Sequence, residues 1–71
     1  MSESVYKIIE LVGTSSKSWE DAVQNVVEKA STSLRDLRIA EVQKLDAKIE
    51  NGKIVAYRAR VTVSFKYQPK D

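Results

Sequence analysis

Glu50-Asn51-Gly52-Lys53 lies between two long alternating runs, and how it turns decides the fold. Asn-Gly suits a two-residue type I′ turn, whose central residues both take φ > 0, where Asn and Gly cost least. After it, Val55, Tyr57, Ala59, Val61, Val63, Phe65 and Tyr67 alternate with Ala56, Arg58, Arg60, Thr62, Ser64 and Lys66. This period-two pattern predicts a strand well beyond the usual length of about five or six residues. Residues 38–67 are therefore expected to form one long hairpin. A two-residue loop sets Glu50 opposite Lys53, and so Ile49 opposite Ile54, Ala47 opposite Ala56 and Leu45 opposite Arg58. Further from the turn, Val42 meets Val61, Glu41 meets Thr62, Ala40 meets Val63 and Ile39 meets Ser64. In this register the apolar residues of the first strand change face, from even (Ala40, Val42) to odd (Leu45, Ala47, Ile49). A bulge near Gln43 and Lys44 would produce that change. The unbulged register already sets apolar against apolar at both ends, so it is the expected one. The tip would then pack its opposite face on another copy of the chain.

Working outward, residues 5–12 read as a first strand: Val5, Ile9 and Leu11 in one phase, Tyr6, Ile8 and Val12 in the other. Two apolar faces suit a strand covered on both sides. Gly13-Thr14-Ser15-Ser16 is expected to break it. That loop lacks the Gly-Lys-Ser/Thr ending of a phosphate-binding loop and reads better as a turn with polar capping residues. Ser18 opens a helix with Glu20 and Asp21 at its positive end. Trp19, Ala22, Val23, Val26, Val27, Ala30 and Leu34 form one apolar stripe at helical spacing. A helix over residues 18–34 reaches about 25 Å, against about 50 Å for the final strand. It cannot cover the hairpin, and an overhanging half-apolar hairpin in a soluble protein is expected to be paired. Residues 1–4 are expected to be a loose lead-in and residues 68–71 a polar tail. The order strand, helix, strand, strand predicts a single α+β domain over residues 1–71, with the helix on one face of a three-stranded antiparallel sheet.

Composition narrows the function. With 71 residues and no cysteine, the chain is near the size where one core barely suffices, and oligomerisation is the natural substitute for disulfides. It has no histidine either, which removes Ser-His and Cys-His nucleophile pairs, zinc fingers and haem ligation by His. A net charge of +2 is too weak alone to argue for nucleic acid. No apolar run approaches the roughly 20 residues of a membrane span, nor does the N-terminus resemble a signal peptide. A cytoplasmic protein is expected.

No pair of acids is set up for general acid–base work, and no enzyme is expected. Arg58 and Arg60 alternate onto the hairpin face that also carries Glu41 and Ile39. Guanidinium groups there could stack on a planar ring or fork onto phosphate. The competing reading is a solvated, salt-bridged sheet face, its cross-strand pairs worth about 0.2–1 kcal/mol each. The carboxylates lack the cadence of an EF-hand loop, so a calcium site would have to assemble across copies. Trp19, Tyr57 and Tyr67 read as core residues.

The arrangement resembles the dodecins, small flavin-binding proteins that assemble as hollow shells of twelve copies. The likeness is carried by Val5-Tyr6-Lys7-Ile8-Ile9-Glu10-Leu11-Val12-Gly13-Thr14-Ser15, by Ser18-Trp19-Glu20-Asp21-Ala22, by Ala40-Glu41-Val42 and by residues 57–66. It implies a sheet partly wrapped round the helix and a homododecamer. Flavin-binding dodecins stack the isoalloxazine on a Trp, here Ile39, and bond its edge with a Gln, here Arg58. Members that take flavin phosphate often carry a basic residue where Asp46 stands. Ile39 and Arg58 are more similar to a branch lacking that Trp, the calcium dodecins, which are associated with calcium.

The resemblance implies a non-enzymatic binding or storage shell that sequesters riboflavin, FMN or a related ligand between subunits. Ile39, Glu41, Arg58 and Arg60 would line the pocket, with Asp46 and Lys66 nearby. The alternative is a shell of the same fold that binds no flavin and instead holds a divalent cation such as calcium, or serves as a scaffold. An RNA-binding sheet is a third reading, but no aromatic residues stand among the basic positions to stack bases.

Overall fold

The computed structural model describes residues 5–67; the expected lead-in and polar tail lie outside the described residues. Strand β1 spans Tyr6–Ser15, helix α1 Trp19–Ser31, β2 Leu37–Glu50 and β3 Lys53–Lys66. The sheet is antiparallel in the order β1-β3-β2, so β3, the most strongly alternating stretch, is its centre. Asn51 (φ 54°) and Gly52 (φ 75°) both take positive φ, as the type I′ turn requires.

Helix α1 begins as its sequence indicates. The Ser18 side chain accepts a hydrogen bond from the Asp21 amide at 3.0 Å, and Glu20 and Asp21 occupy the first turn. It ends at Ser31 rather than near Leu34, and the Thr32 amide closes back on the Lys29 carbonyl at 3.2 Å. Ala22, Val26 and Ala30 are buried against Ala59, Val61 and Val63 of β3, with Ile9, Leu11, Val23, Leu34 and Leu37 half-buried around them.

Gly13-Thr14-Ser15 does not break β1. The strand continues to Ser15, with Gly13 opposite Ala59. Glycine is needed there for proximity: a Cβ on Gly13 would collide with Val26 Cγ2 and lie 2.5 Å from the Ala22 carbonyl oxygen. The turn chemistry falls on Ser15, whose Oγ donates to Asp21 Oδ2 at 2.7 Å and accepts the Lys17 amide at 2.9 Å.

The hairpin register departs from the uniform one in its middle. Ile49–Ile54 at the tip and Val42–Val61, Glu41–Thr62 and Ala40–Val63 at the base pair as expected. Between them Asp46 faces Arg58, Ala47 faces Tyr57 and Leu45 faces Ala59, one step out of the simple register. An extra residue, Gln43, bulges from β2 between Val42 and Lys44, and a second, Val55, bulges from β3 between Ile54 and Ala56. The bulge thus explains the change of apolar phase, and Ala40, Val42, Leu45 and Ala47 all share the helix-facing side with β3's buried residues.

The helix packs over β1 and β3 and leaves β2 bare. From Arg38 to Asp46, β2 is exposed on both faces, including Val42 (46%), Leu45 (51%) and Ile39 (66%). Strand β1 is covered on one face rather than two, since Tyr6, Ile8 and Val12 point outward into solvent. Tyr67 is also exposed, not core. The fully enclosed apolar side chains among the described residues are alanines and valines alone. A core of that size supplies about 3–5 kcal/mol at most.

Candidate functional site

The outer face of the sheet, away from the helix, is laid out in rows across β1, β3 and β2. Pairing sets Ile8, Ser64 and Ile39 in one row, then Glu10, Thr62 and Glu41, then Val12, Arg60 and Lys44, then Thr14, Arg58 and Asp46. Of the residues the sequence singles out, Glu41, Asp46, Arg58 and Arg60 share this face within neighbouring rows. Ile39 lies six residues up from Arg58's row, about 20 Å along the strand, and Lys66, opposite Tyr6, about 26 Å. Ile39 and Lys66 can join Arg58 only through another copy of the chain.

Asp46 and Arg58 form the best-defined contact on this face. Arg58 Nε donates to Asp46 Oδ1 at 2.7 Å and its terminal nitrogen to Oδ2 at 3.0 Å, a two-pronged pair. Both side chains are about half exposed (54% and 48%). Their hydrogen bonds hold the Asp46 carboxyl below the usual carboxylate range and raise the Arg58 guanidinium further above its own. Arg60 makes a longer contact, Nε to Glu10 Oε2 at 3.9 Å.

Asp46 is also fixed through its backbone. Trp19, from the first turn of α1, donates Nε1–H to the Asp46 carbonyl at 2.9 Å and packs edge-on against Tyr57 with ring centroids 4.8 Å apart. Trp19 is thus a strut between helix and hairpin, half-buried rather than enclosed. Gln43 at the bulge donates to Thr62 Oγ1 at 3.2 Å, between Glu10 and Glu41. Reading the sequence in the uniform register misses both the Asp46–Arg58 opposition and the Trp19 strut. The change of apolar phase at Gln43 was the signal that could have found the first.

Ser15 is committed to Asp21 and the turn, which leaves the Gly13-Thr14-Ser15 stretch a structural device. Two open clefts flank the core. One of about 630 Å³ runs between the end of β1 and α1, and one of about 320 Å³ is lined by Lys7, Arg35, Phe65 and Lys66. Among the described residues no three acidic side chains gather closely enough to hold a metal ion, and no helix is long and apolar enough to cross a membrane.

A one-helix, three-strand domain with a bare edge strand and a charged outer face defines a class of small α+β protein. The Dodecin family model matches residues 5–68, and the chain belongs to the dodecin family. A calcium dodecin from Mycobacterium tuberculosis is 41% identical over 66 residues, 93% of this chain and of that protein. A dodecin from Thermus thermophilus is 34% identical over 64 residues, 90% of this chain and 93% of its own. Dodecin from Streptomyces coelicolor superposes with a TM-score of 0.92 at 33% identity, covering 99% of this chain and 100% of that one. The crystal structure of the calcium-chelating M. tuberculosis calcium dodecin, with its novel calcium-binding site, superposes with a TM-score of 0.82 at 43% identity. The match covers 96% of this chain and 97% of that one. The expected fold and the likeness to the calcium dodecin branch both hold.

Proposed function

We propose that this chain is a binding protein rather than an enzyme, working as a homododecameric shell of the dodecin type with its ligand held between copies. The observation that carries the assembly is the hairpin. Eleven large apolar residues among those described are exposed, six of them on β2 and the tip of β3: Ile39, Val42, Leu45, Ile49, Ile54 and Val55. A surface of this kind on a chain with so small a core is covered by further copies.

Of the two ligand classes, a divalent cation comes first. The likeness to a calcium dodecin supports it. So does the outer face itself: Ile39 offers no ring to stack on, and Arg58 is already engaged by Asp46. The cation site would be completed by carboxylates of more than one copy, since no single chain gathers three among its described residues. Flavin remains the second reading, favoured by Arg58 and Arg60 on the face that would meet another subunit.

Native mass measurement followed by calorimetric titration tests both levels. A twelve-copy mass with saturable calcium heat, and no quenching of riboflavin or FMN fluorescence, is the expected result. Stoichiometric quenching at micromolar flavin would reverse the order of the two ligands. A monomer at micromolar concentration would overturn the shell.

A further inference from the structure

We infer that Asn51-Gly52 is a self-modification site, where the chain converts its own side-chain amide to aspartate or isoaspartate, and that the type I′ turn holds this reaction back. The first step joins the Gly52 backbone nitrogen to Asn51 Cγ and closes a succinimide ring. The Cγ–Nδ2 bond breaks, the departing nitrogen takes up a proton and leaves as ammonia, and the Gly52 nitrogen gives its proton to solvent. Water then opens the ring at one of its two carbonyl carbons. Opening at Cγ leaves aspartate. Opening at the backbone carbonyl leaves isoaspartate, with the main chain rerouted through Cβ and Cγ.

Three features of the hairpin tip favour the attack. Residue 52 has no side chain to obstruct it, and open space surrounds the place where a Cβ would lie. Both residues are exposed to the water that the second step consumes. The Gly52 amide lies beyond the last rung of the ladder, Glu50–Lys53, so no strand pairing holds it. Asn25, the other asparagine in the chain, is placed differently. It lies inside α1, precedes β-branched Val26, and donates its side chain to the Thr14 carbonyl at 3.0 Å.

The turn itself opposes the reaction. Ring closure needs the Gly52 nitrogen on the same side of the Asn51 Cα–C bond as Cβ. With φ of 54° and 75°, Asn51 and Gly52 are the two central residues of the type I′ turn. The first of these has ψ near +30°, which leaves the nitrogen and Cβ roughly 150° apart about that bond. The turn must therefore open before the ring can form. Two rungs close it, Glu50–Lys53 and Ile49–Ile54, and β1 adds no support there because its last residue, Ser15, pairs with Tyr57. The tip thus opens without disturbing the core. Aspartate rebuilds the turn afterwards, since Asp-Gly suits the same geometry. Isoaspartate puts an extra carbon into the main chain of the loop, and the loop length that fixes the hairpin register is lost.

The test incubates the native and the urea-unfolded chain side by side at mildly alkaline pH. It reads the amide-to-acid mass gain on the peptide carrying Asn51, and isoaspartate by enzymatic methylation of its carboxylate. The native chain should react at the tip about tenfold more slowly than the unfolded one, the size of the two closing rungs. Asn25 should stay intact in the native chain. Ile49→Ala and Ile54→Ala each loosen the second rung and should speed the native reaction about two- to fivefold. Two tip variants are used so that one failing to fold leaves the other. Leu45→Glu, remote from the tip, should keep the wild-type rate. Equal rates in native and unfolded chains would overturn the inference, as would no product in either or tip variants that react no faster. A Leu45→Glu chain reacting at the unfolded rate would also overturn it, because the protection would then come from a neighbouring copy and not from the turn. The proposed shell is not needed for the inference, and its failure would leave the tip chemistry as it stands.

Discussion

At Gly13 a single hydrogen separates strand from helix. Adding a methyl group there forces Val26 and the Ala22 carbonyl to move, and neither has room because both belong to the packed face of α1. Gly13→Ala should destabilise the chain by about 1–3 kcal/mol, read as a lower denaturation midpoint with an unchanged slope. Asp46 makes a different residue-level prediction. Its carboxyl is held below the usual range by Arg58, so the pair's contribution is complete above the unfolded carboxylate value. It is lost only as pH falls through the lower folded value. An NMR titration of the Asp46 carboxyl carbon should therefore move upward, towards the ordinary carboxylate midpoint, in Arg58→Ala.

Among the elements, the hairpin shows how far the sequence could be read. The Asn51-Gly52 turn was legible because its chemistry is local: two residues at φ > 0 admit few alternatives. The Ser18 cap was legible for the same reason. The one-step shift between the bulges was not, because Leu45 and Ala47 find acceptable partners in either register and the two insertions cancel by Val42–Val61 on one side and Ile49–Ile54 on the other. At the site, the residue types on the outer face were readable from alternation, while Arg58's partner depended on the shift. Gly13-Thr14-Ser15 misled because turn-forming residues served a close helix–strand approach instead. The Trp19 contact spans 27 residues and left no local trace. Trp19→Phe keeps most of the ring packing on Tyr57 but loses the bond to Asp46, a change of about 0.5–1.5 kcal/mol. Amide hydrogen exchange should quicken most in residues 44–48, and a uniform increase over the sheet would argue against the strut.

For the whole molecule, the decisive property is that β2 has no cover of its own. Leu45 lies on the helix-facing side yet beyond the helix's reach, half exposed beside buried Ala59. A charge placed there disturbs little within one chain but sits where another copy would have to pack. Leu45→Glu should keep the circular dichroism of the isolated fold and lower the native mass to a smaller species. A full-sized assembly from Leu45→Glu would move the intersubunit surface elsewhere.

The paired bulges carry one more consequence, about curvature. Each extra residue bends its strand and sharpens the local twist, while the pairs on either side of it are kept. A chain lacking both Gln43 and Val55 could retain every pairing from Val42–Val61 to Glu50–Lys53 and still be a straighter ribbon. Straight tiles do not close a sphere. In this hairpin, Gln43 and Val55, two residues that contribute no rung to the ladder, would set the radius of whatever it builds.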